Sequence, residues 1–392
     1  MKLHWLAMKV LGVVFIFTSA AFAQTATGSI SGVVQDESGA VISGVNVTVT
    51  NTDKGISTSF VTDASGRYHV PALISGPYEI QAQIAGFETG VRQGIQLTVG
   101  SELQINLVLK VGQVAQKTVV TAEAPLVETA TSAMAGLVDD KTIRDLPLNG
   151  RSFDQLIALE SSAPVYRQQT GSTATLYSIN GGRSQSNMYL MDGTEMLSAA
   201  QKQTNPGGAL GINMGVDAIQ EFSILSSNYS PAYGKKGGGV INIATRSGTN
   251  GIHGSAFEFL RNSYLDAKNF FDPGTKAPPL KRSNFGGAVG GPIRKDHSFF
   301  FGNYEGLRLN SSATNVKTVP DANAHNGLLP GPNGLNNVGV AAAMKPYLAS
   351  LYALPNGRTF GDGTGEFISN TPAKNVQDYY LGRFDQRISD KD

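Results

Sequence analysis

Residues 180–196, NGGRSQSNMYLMDGTEM, and residues 215–254, GVDAIQEFSILSSNYSPAYGKKGGGVINIATRSGTNGIHG, decide how the rest of the chain is read. Short apolar runs at 188–191, 219–225 and 240–245 are set between glycine-rich turns, which predicts strands. A further short strand is expected at 178–179, ahead of the Gly181-Gly182-Arg183 turn. Asp192-Gly193 is a turn pair, because both residue types tolerate positive φ; a turn is a better reading of Asp192 than a catalytic acid. The Gly237-Gly238-Gly239 run lacks the Lys-Ser/Thr ending of a phosphate loop and leads into a strand. Close backbone approach is the better reading.

The order of these pieces resembles the plug domain of TonB-dependent outer-membrane receptors. The residues that carry it are Asn187 with Leu190 through Gly193 (a variant of N-x-x-L-x-D-G), Ile219-Gln220-Glu221-Phe222, Tyr233-Gly234, and Gly238-Gly239-Val240-Ile241-Asn242-Ile243. The resemblance implies a small α+β globule, expected over 137–250, seated inside a transmembrane β-barrel. Arg183, Asn187, Asp192, Gly193, Gly238, Gly239 and Asn242 are then its structural residues. Arg183, Asn187 and Arg246 are expected to buttress the plug against the barrel wall by charge-assisted hydrogen bonds, the alternative being that they line the substrate path. Leu146 through Phe153 makes a family-like entry, with a short helix after it on Phe153, Leu156, Ile157 and Leu159.

Upstream, residues 28–111 read as all-β. Val45, Val47 and Val49 alternate with polar residues, as do Leu103, Ile105, Leu107 and Leu109. Turn signals at 36–39, 63–66, 75–77 and 85–86 divide the stretch into short strands around one core. Gly32-Val33-Val34, Gly44 through Val47, Gly66-Arg67-Tyr68, Gly76-Pro77-Tyr78 and Gly86-Phe87 resemble the carboxypeptidase regulatory-like (transthyretin-like, prealbumin-like) sandwich, expected over 24–111. That family supplies no catalytic residues of its own, and its expected role here is a periplasmic spacer. Residues 1–23 read as a signal peptide: Lys2 and Lys9, an apolar run, and Ala21-Phe22-Ala23 before Gln24. The protein is expected to be exported through it.

Residues 112–136 read as a small-residue linker. Within it Thr118, Val119, Val120, Thr121 and Ala122 resemble the TonB box, an extended peptide that pairs with an edge strand of TonB. From 251 to 392 the texture becomes that of an outer-membrane barrel. Strands of about ten residues are expected at 252–261, 284–293, 298–309 and 378–388, with long and short connections alternating. Arg383, Asp385 and Arg387 share one face of the last strand, which suits a lumen. Tyr380 and Phe384 share the other, and Phe257, Phe259, Phe299 and Phe301 are expected on apolar faces. A helix is expected within 338–354, limited by Pro346. Four strands cannot close a barrel, so a longer receptor is expected, of which this is an N-terminal piece. The fold class is thus mainly β: a sandwich, an α+β plug, and the first strands of a truncated barrel.

Charge and motifs narrow the chemistry. The 392 residues carry a net charge of +1, and beyond the leader 29 bases face 30 acids, so no nucleic-acid surface is expected. Without Cys there are no disulfides or thiolate sites. His4, His69, His253, His297 and His325 fall in no zinc-peptidase motif, and no G-x-S-x-G or P-loop occurs. No catalytic residue, metal or cofactor is expected. The implied partners are TonB, the lipid bilayer of the outer membrane, and an extracellular substrate that is a siderophore, glycan or peptide. The other classes weighed are a non-transporting adhesion or glycan-binding protein and a secreted carboxypeptidase accessory.

Overall fold

The structure is a computed structural model, and it describes residues 27–112, 117–121, 133–146, 148, 151, 153–166, 176–196, 215–234, 236–273 and 276–388. The expected signal peptide, Ala122 and most of the expected linker lie outside the described residues. The chain divides into two compact units. One comprises Met1–Ser255, Gly287–Tyr304 and Tyr379–Asp392; the other comprises Ala256–Gly286 and Glu305–Asp378.

The first unit begins with the sandwich. Its strands are β1 (Thr27–Asp36), β2 (Asn46–Asn51), β3 (Ile56–Val61), β4 (Arg67–Ile74), β5 (Gly76–Gln83), β6 (Thr89–Leu97), β7 (Glu102–Gln104), β8 (Leu107–Leu109) and β9 (Lys117–Thr121). One sheet has the order β4-β1-β7, with β8 also on β1; the other has the order β3-β2-β5-β6-β9. Buried and half-buried residues alternate along β1, the signature of one face turned to a core. That core is apolar, with Ile30, Val47, Ile80, Ile95, Leu97 and Leu109 all within 1% of full burial. The run 103–109 is two strands rather than one, yet Leu103, Ile105, Leu107 and Leu109 are all buried as their alternation demands. Ile105 sits at the break, where its carbonyl accepts from the Tyr68 hydroxyl at 2.6 Å. A side chain at Gly32 would collide with that same carbonyl, so β1 needs glycine there. The turns close on aspartates: Asp36 Oδ1 accepts from the Ser38 and Ala40 amides, and Asp63 Oδ1 from the Ser65 and Arg67 amides.

An α+β region follows. It contains β10 (Met134–Val138), α1 (Asp140–Asp145), a 3-10 turn at Phe153–Leu159, β11 (Val165–Tyr166), β12 (Leu176–Tyr177), β13 (Met188–Met191), β14 (Thr194–Glu195), β15 (Ile219–Ser227) and β16 (Val240–Thr245). The strand expected at 178–179 lies two residues earlier, and Ile179–Gly181 is a 3-10 turn. Asn180 there has φ of 49°, which takes it out of the extended region. The main sheet has the order β10-β15-β16-β13-β14. All six residues of β16 are buried, and so are seven of the nine in β15, which means the sheet is covered on both faces. One face packs Phe222, Ile224, Ile241 and Ile243 against Ile143, Phe153 and Ile157. Residues 134–136, expected in the linker, instead form the edge strand on β15.

The barrel-like segment supplies β17 (His253–Asn262), β18 (Leu280–Arg294), β19 (Ser298–Pro320) and β22 (Thr364–Gln386), in the order β17-β18-β19-β22. β19 and β22 are each 23 residues, about twice the expected length. Their extra halves are polar, and cross-strand bonds such as Thr314 to Asn370 (3.2 Å) and Asn315 to Thr371 (2.8 Å) continue the ladder. An apolar period of two cannot reveal such residues. Phe299 and Phe301 are buried, so they are not on an exposed apolar face; Phe259, Tyr380 and Phe384 are exposed.

The second unit holds the distal halves of these strands. It also holds α2 (Ala322–His325), the hairpin of β20 (Leu328–Gly331) and β21 (Gly334–Asn337), and α3 (Lys345–Leu351). Pro346 stands in the first turn of α3, where proline is tolerated, so it starts the helix rather than interrupting it. Arg308 bonds Asp378 at 2.7 Å and lies over the Phe285 ring.

Candidate functional site

The stretch that resembles a TonB box is a strand already in use. β9 lies parallel to β6, with Thr118 opposite Gly90, Val119 opposite Val91, Val120 opposite Arg92 and Thr121 opposite Gln93. It forms the end of its sheet, so its outer edge carries no partner among the described residues. The Thr118 hydroxyl donates to Glu88 Oε2 at 2.6 Å, while Val119 and Val120 are about half exposed. β10, the next strand among the described residues, is in turn the edge strand of the α+β sheet.

The residues that resemble the plug motif are brought together with one exception. Asn187 is fully buried; its Nδ2 donates to the Tyr177 carbonyl and its Oδ1 accepts from the Gly239 amide. Gly238 and Gly239 are there for space: a Cβ on the first would stand 2.6 Å from Ser186 backbone and Asn187 Oδ1, and on the second 2.5 Å from Ile179. Asp192 and Gly193 turn with φ of 47° and 80°. Asp192 also accepts from the Thr245 amide and hydroxyl, tying β13 to the end of β16. Asn242 is buried in mid-strand. Arg183 is exposed and does not join the cluster.

The expected buttress residues therefore act within the α+β region. Asn187 bonds Tyr177 and Gly239 within it, and Arg246 pairs with Asp140 and donates to the Ile219 carbonyl. The link to the barrel-like strands comes from the other direction. Arg383 on β22 donates to the Thr245 carbonyl at 3.0 Å and reaches Asp192 at 3.6 Å. Its neighbour Asp385 takes Lys54 of the sandwich at 3.1 Å, and Lys54 also lies over the Phe299 ring. Burial pulls the Lys54 ammonium below the ordinary lysine range, and Asp385 opposes that pull. The signal for Arg383 and Asp385 was present as a polar face on the last strand; their partners, far away in sequence, left none.

The second face of the α+β sheet is mixed and meets the sandwich: Met188, Leu190, Leu225 and Val240 form a buried apolar cluster, Ala244 packs with Val99, and Glu221, Ser223 and Asn242 lie beside them. Glu221 is 5% exposed and accepts from the Val99 amide at 2.6 Å. Loss of solvent pushes its carboxyl up to about 7, against the hydrogen bonds from Val99 and Ser75; Asp139 and Asp140 push the same way as burial. Beside it Ser223 Oγ and Asn242 Oδ1 are buried without a hydrogen-bond partner. The sandwich loop covers them so closely that a Cβ at Gly100 would stand 3.2 Å from Asn242 Nδ2. A cavity of about 390 Å³ opens alongside, lined by Gly28, Gly100, Ser223, Leu225, Tyr229 and Tyr233 among others. No group of three or more metal-ligating side chains occurs among the described residues.

The comparisons with known proteins fit this arrangement. Residues 29–110 match the carboxypeptidase regulatory-like domain, and residues 244–392 match the outer membrane beta barrel domain. The chain is similar in sequence to a TonB-dependent transporter. It is 29% identical over 306 residues to the TonB-dependent transporter Oar of Myxococcus xanthus, a match that takes in 74% of this chain and 27% of that protein. The chain thus spans about a quarter of the length of that relative. Among solved structures it overlaps the outer membrane transporter YddB of Escherichia coli (16% identity, 66% of this chain and 33% of that one, TM-score 0.40). It also overlaps the siderophore receptor PirA of Acinetobacter baumannii (19%, 49% and 30%, TM-score 0.32).

Proposed function

We propose that the chain belongs to an energy-coupled receptor of the outer membrane, exported by its signal peptide. In this reading residues 137–250 are the plug, residues 251–392 contribute barrel strands, and Thr118 through Ala122 is the TonB contact. The sandwich and the linker stand in the periplasm. Substrate, a siderophore, glycan or peptide, binds from outside; TonB draws on the 118–122 segment, the plug sheet rearranges, and substrate passes without covalent chemistry. The observation that carries the reading is the run of two consecutive edge strands. β9 ends one sheet, β10 ends the next, and no described strand lies between them in the chain. Edge strands detach without breaking a sheet in two, so tension on β9 has a path to β15 through β10. The absence of catalytic motifs is consistent with a carrier rather than an enzyme.

Val120→Pro tests it. Proline removes a backbone donor and fixes φ, which disables strand addition. Binding of the soluble periplasmic part of TonB is expected to fall at least tenfold, with surface expression of the receptor unchanged. Undiminished binding would move the contact elsewhere in the chain.

A further inference from the structure

We propose that the sandwich stores the TonB-contact strand on β6 and competes with TonB for it, so that this module gates coupling instead of serving as a spacer. The inference rests on the reading of Thr118 through Ala122 as the TonB contact. Three observations carry it.

First, the segment is not free: all five residues of β9 are in register on β6, and the Thr118 hydroxyl is held by Glu88. Second, the pairing occupies what a partner needs. Register partners in a parallel pair project from the same face, so Val119 shares its face with Val91, which is 2% exposed. Val119 is nonetheless about half exposed, because β9 is the last strand of its sheet, so what the pairing withholds is backbone: one whole edge of β9 is spent on β6, and the Thr118 hydroxyl on Glu88. A partner that takes that edge as its own ladder has to displace β6. Third, the ladder is built to open. It is five residues long, at a sheet end, and parallel, the weaker of the two pairings. While β9 stays on β6, tension applied to it is borne by the sandwich and not passed to β10. Release is therefore a step that precedes movement of the plug.

A disulfide across the register tests the proposal. The 392 residues contain no cysteine, so a pair introduced by Arg92→Cys and Val120→Cys has no rival thiol within them. Cα atoms opposite each other on neighbouring strands are about 5 Å apart, inside the range a disulfide spans; a pair two residues out of register, Arg92→Cys with Thr118→Cys, is beyond it. The complete receptor carrying the first pair is expected to crosslink on mild oxidation, and the second pair to stay reduced. The oxidised form is expected to bind the soluble periplasmic part of TonB at least tenfold more weakly than the same protein after reduction. Failure of the first pair to crosslink overturns the stored strand. A crosslinked receptor that binds TonB as well as the reduced one overturns the competition and means that TonB adds to the free edge. An unmutated receptor that binds no TonB, or a Val120→Pro receptor that binds it undiminished, overturns the TonB-contact reading, and the competition with it, while a first pair that crosslinks leaves the strand stored.

Discussion

The sandwich and the α+β sheet bury different chemistry. In the sandwich the centre of the core is apolar, buried polar residues such as Asn51, Lys54, Thr62 and Thr89 lie at strand ends and in turns, and the aspartates that shape it, Asp36 and Asp63, sit in exposed turns and satisfy backbone amides. In the α+β sheet Glu221, Ser223, Asn242 and Thr245 are buried within the strands themselves. One face of that sheet is apolar and cohesive; the other is mixed, an apolar cluster of Met188, Leu190, Leu225 and Val240 beside a polar patch of Glu221, Ser223 and Asn242 that the sandwich loop covers at Val99 and Gly100. An apolar contact loses free energy in proportion to the area reopened to water. A polar contact with orphaned atoms loses less, because water satisfies what the partner does not. The sandwich is thus built to stay as it is, and the covered polar patch to separate more readily.

The largest expected effect tests the cohesive side. Ile80 is fully buried at the centre of β5. Ile80→Ala in the isolated 24–121 segment is expected to lower unfolding free energy by about 2–5 kcal/mol, through lost transfer energy and a cavity. Denaturant unfolding followed by circular dichroism reads it directly. A segment that melts broadly even as wild type would mean that the sandwich depends on the sheet it touches, and the contrast would fail.

The next effect depends on pH. With its carboxyl pushed up to about 7 from an ordinary 4.5, Glu221 binds its proton more tightly when covered than when exposed. The stability this adds is complete below about pH 4.5, falls as pH rises through the interval to 7, and is gone above it; the whole span is on the order of 3 kcal/mol. Glu221→Gln, a neutral stand-in for the protonated acid, is expected to flatten the slope. The variant should match wild type at pH 5 and melt higher at pH 8. Parallel pH profiles for the two proteins would place Glu221 in water and remove the polar patch from the comparison.

The same contrast explains what could be read in the sequence. Period-two alternation of apolar residues revealed sandwich strands, because each turns an apolar face to a core, while β13, β15 and β16 were legible as short apolar runs between glycine-rich turns. The turns at Asp36 and Asp63 were legible because their side chains act locally, and Asp192-Gly193 because both residue types tolerate the positive φ found there. The polar outer halves of β19 and β22 were not, since a ladder of Ser, Thr and Asn looks like a loop. Pairings between distant residues were not legible either. The 117–121 stretch reads as extended, yet nothing in it names β6 as its partner. Arg383 reads as facing a lumen, yet its acceptor at Thr245 lies 138 residues away. Phe299 and Phe301 read as outward because their alternation gives a face but not its direction; the cation of Lys54 over Phe299 is one of the neighbours that bury it.

The smallest effect is the sharpest test, because its sign is unusual for a buried position. Asn242 is 3% exposed, and its Oδ1 has no hydrogen-bond partner. Its register partner on β15 is Ser223, whose hydroxyl is also buried and unpaired. Replacing a paired polar group by carbon strands its partner; replacing an unpaired one removes a desolvation cost and strands nothing. Asn242→Leu, close in volume, is therefore expected to leave stability unchanged or raise it by about 1 kcal/mol, whereas Asn187→Leu, which orphans the Tyr177 carbonyl and the Gly239 amide, is expected to lower it. Melting both variants of the 24–250 segment beside wild type decides between them. If Asn242→Leu destabilises as much as Asn187→Leu, the polar patch is fully bonded and as firmly held as the sandwich core. If it stabilises, the asparagine is kept at some cost to folding, and a cost of that kind is expected where a surface has to come apart and meet water.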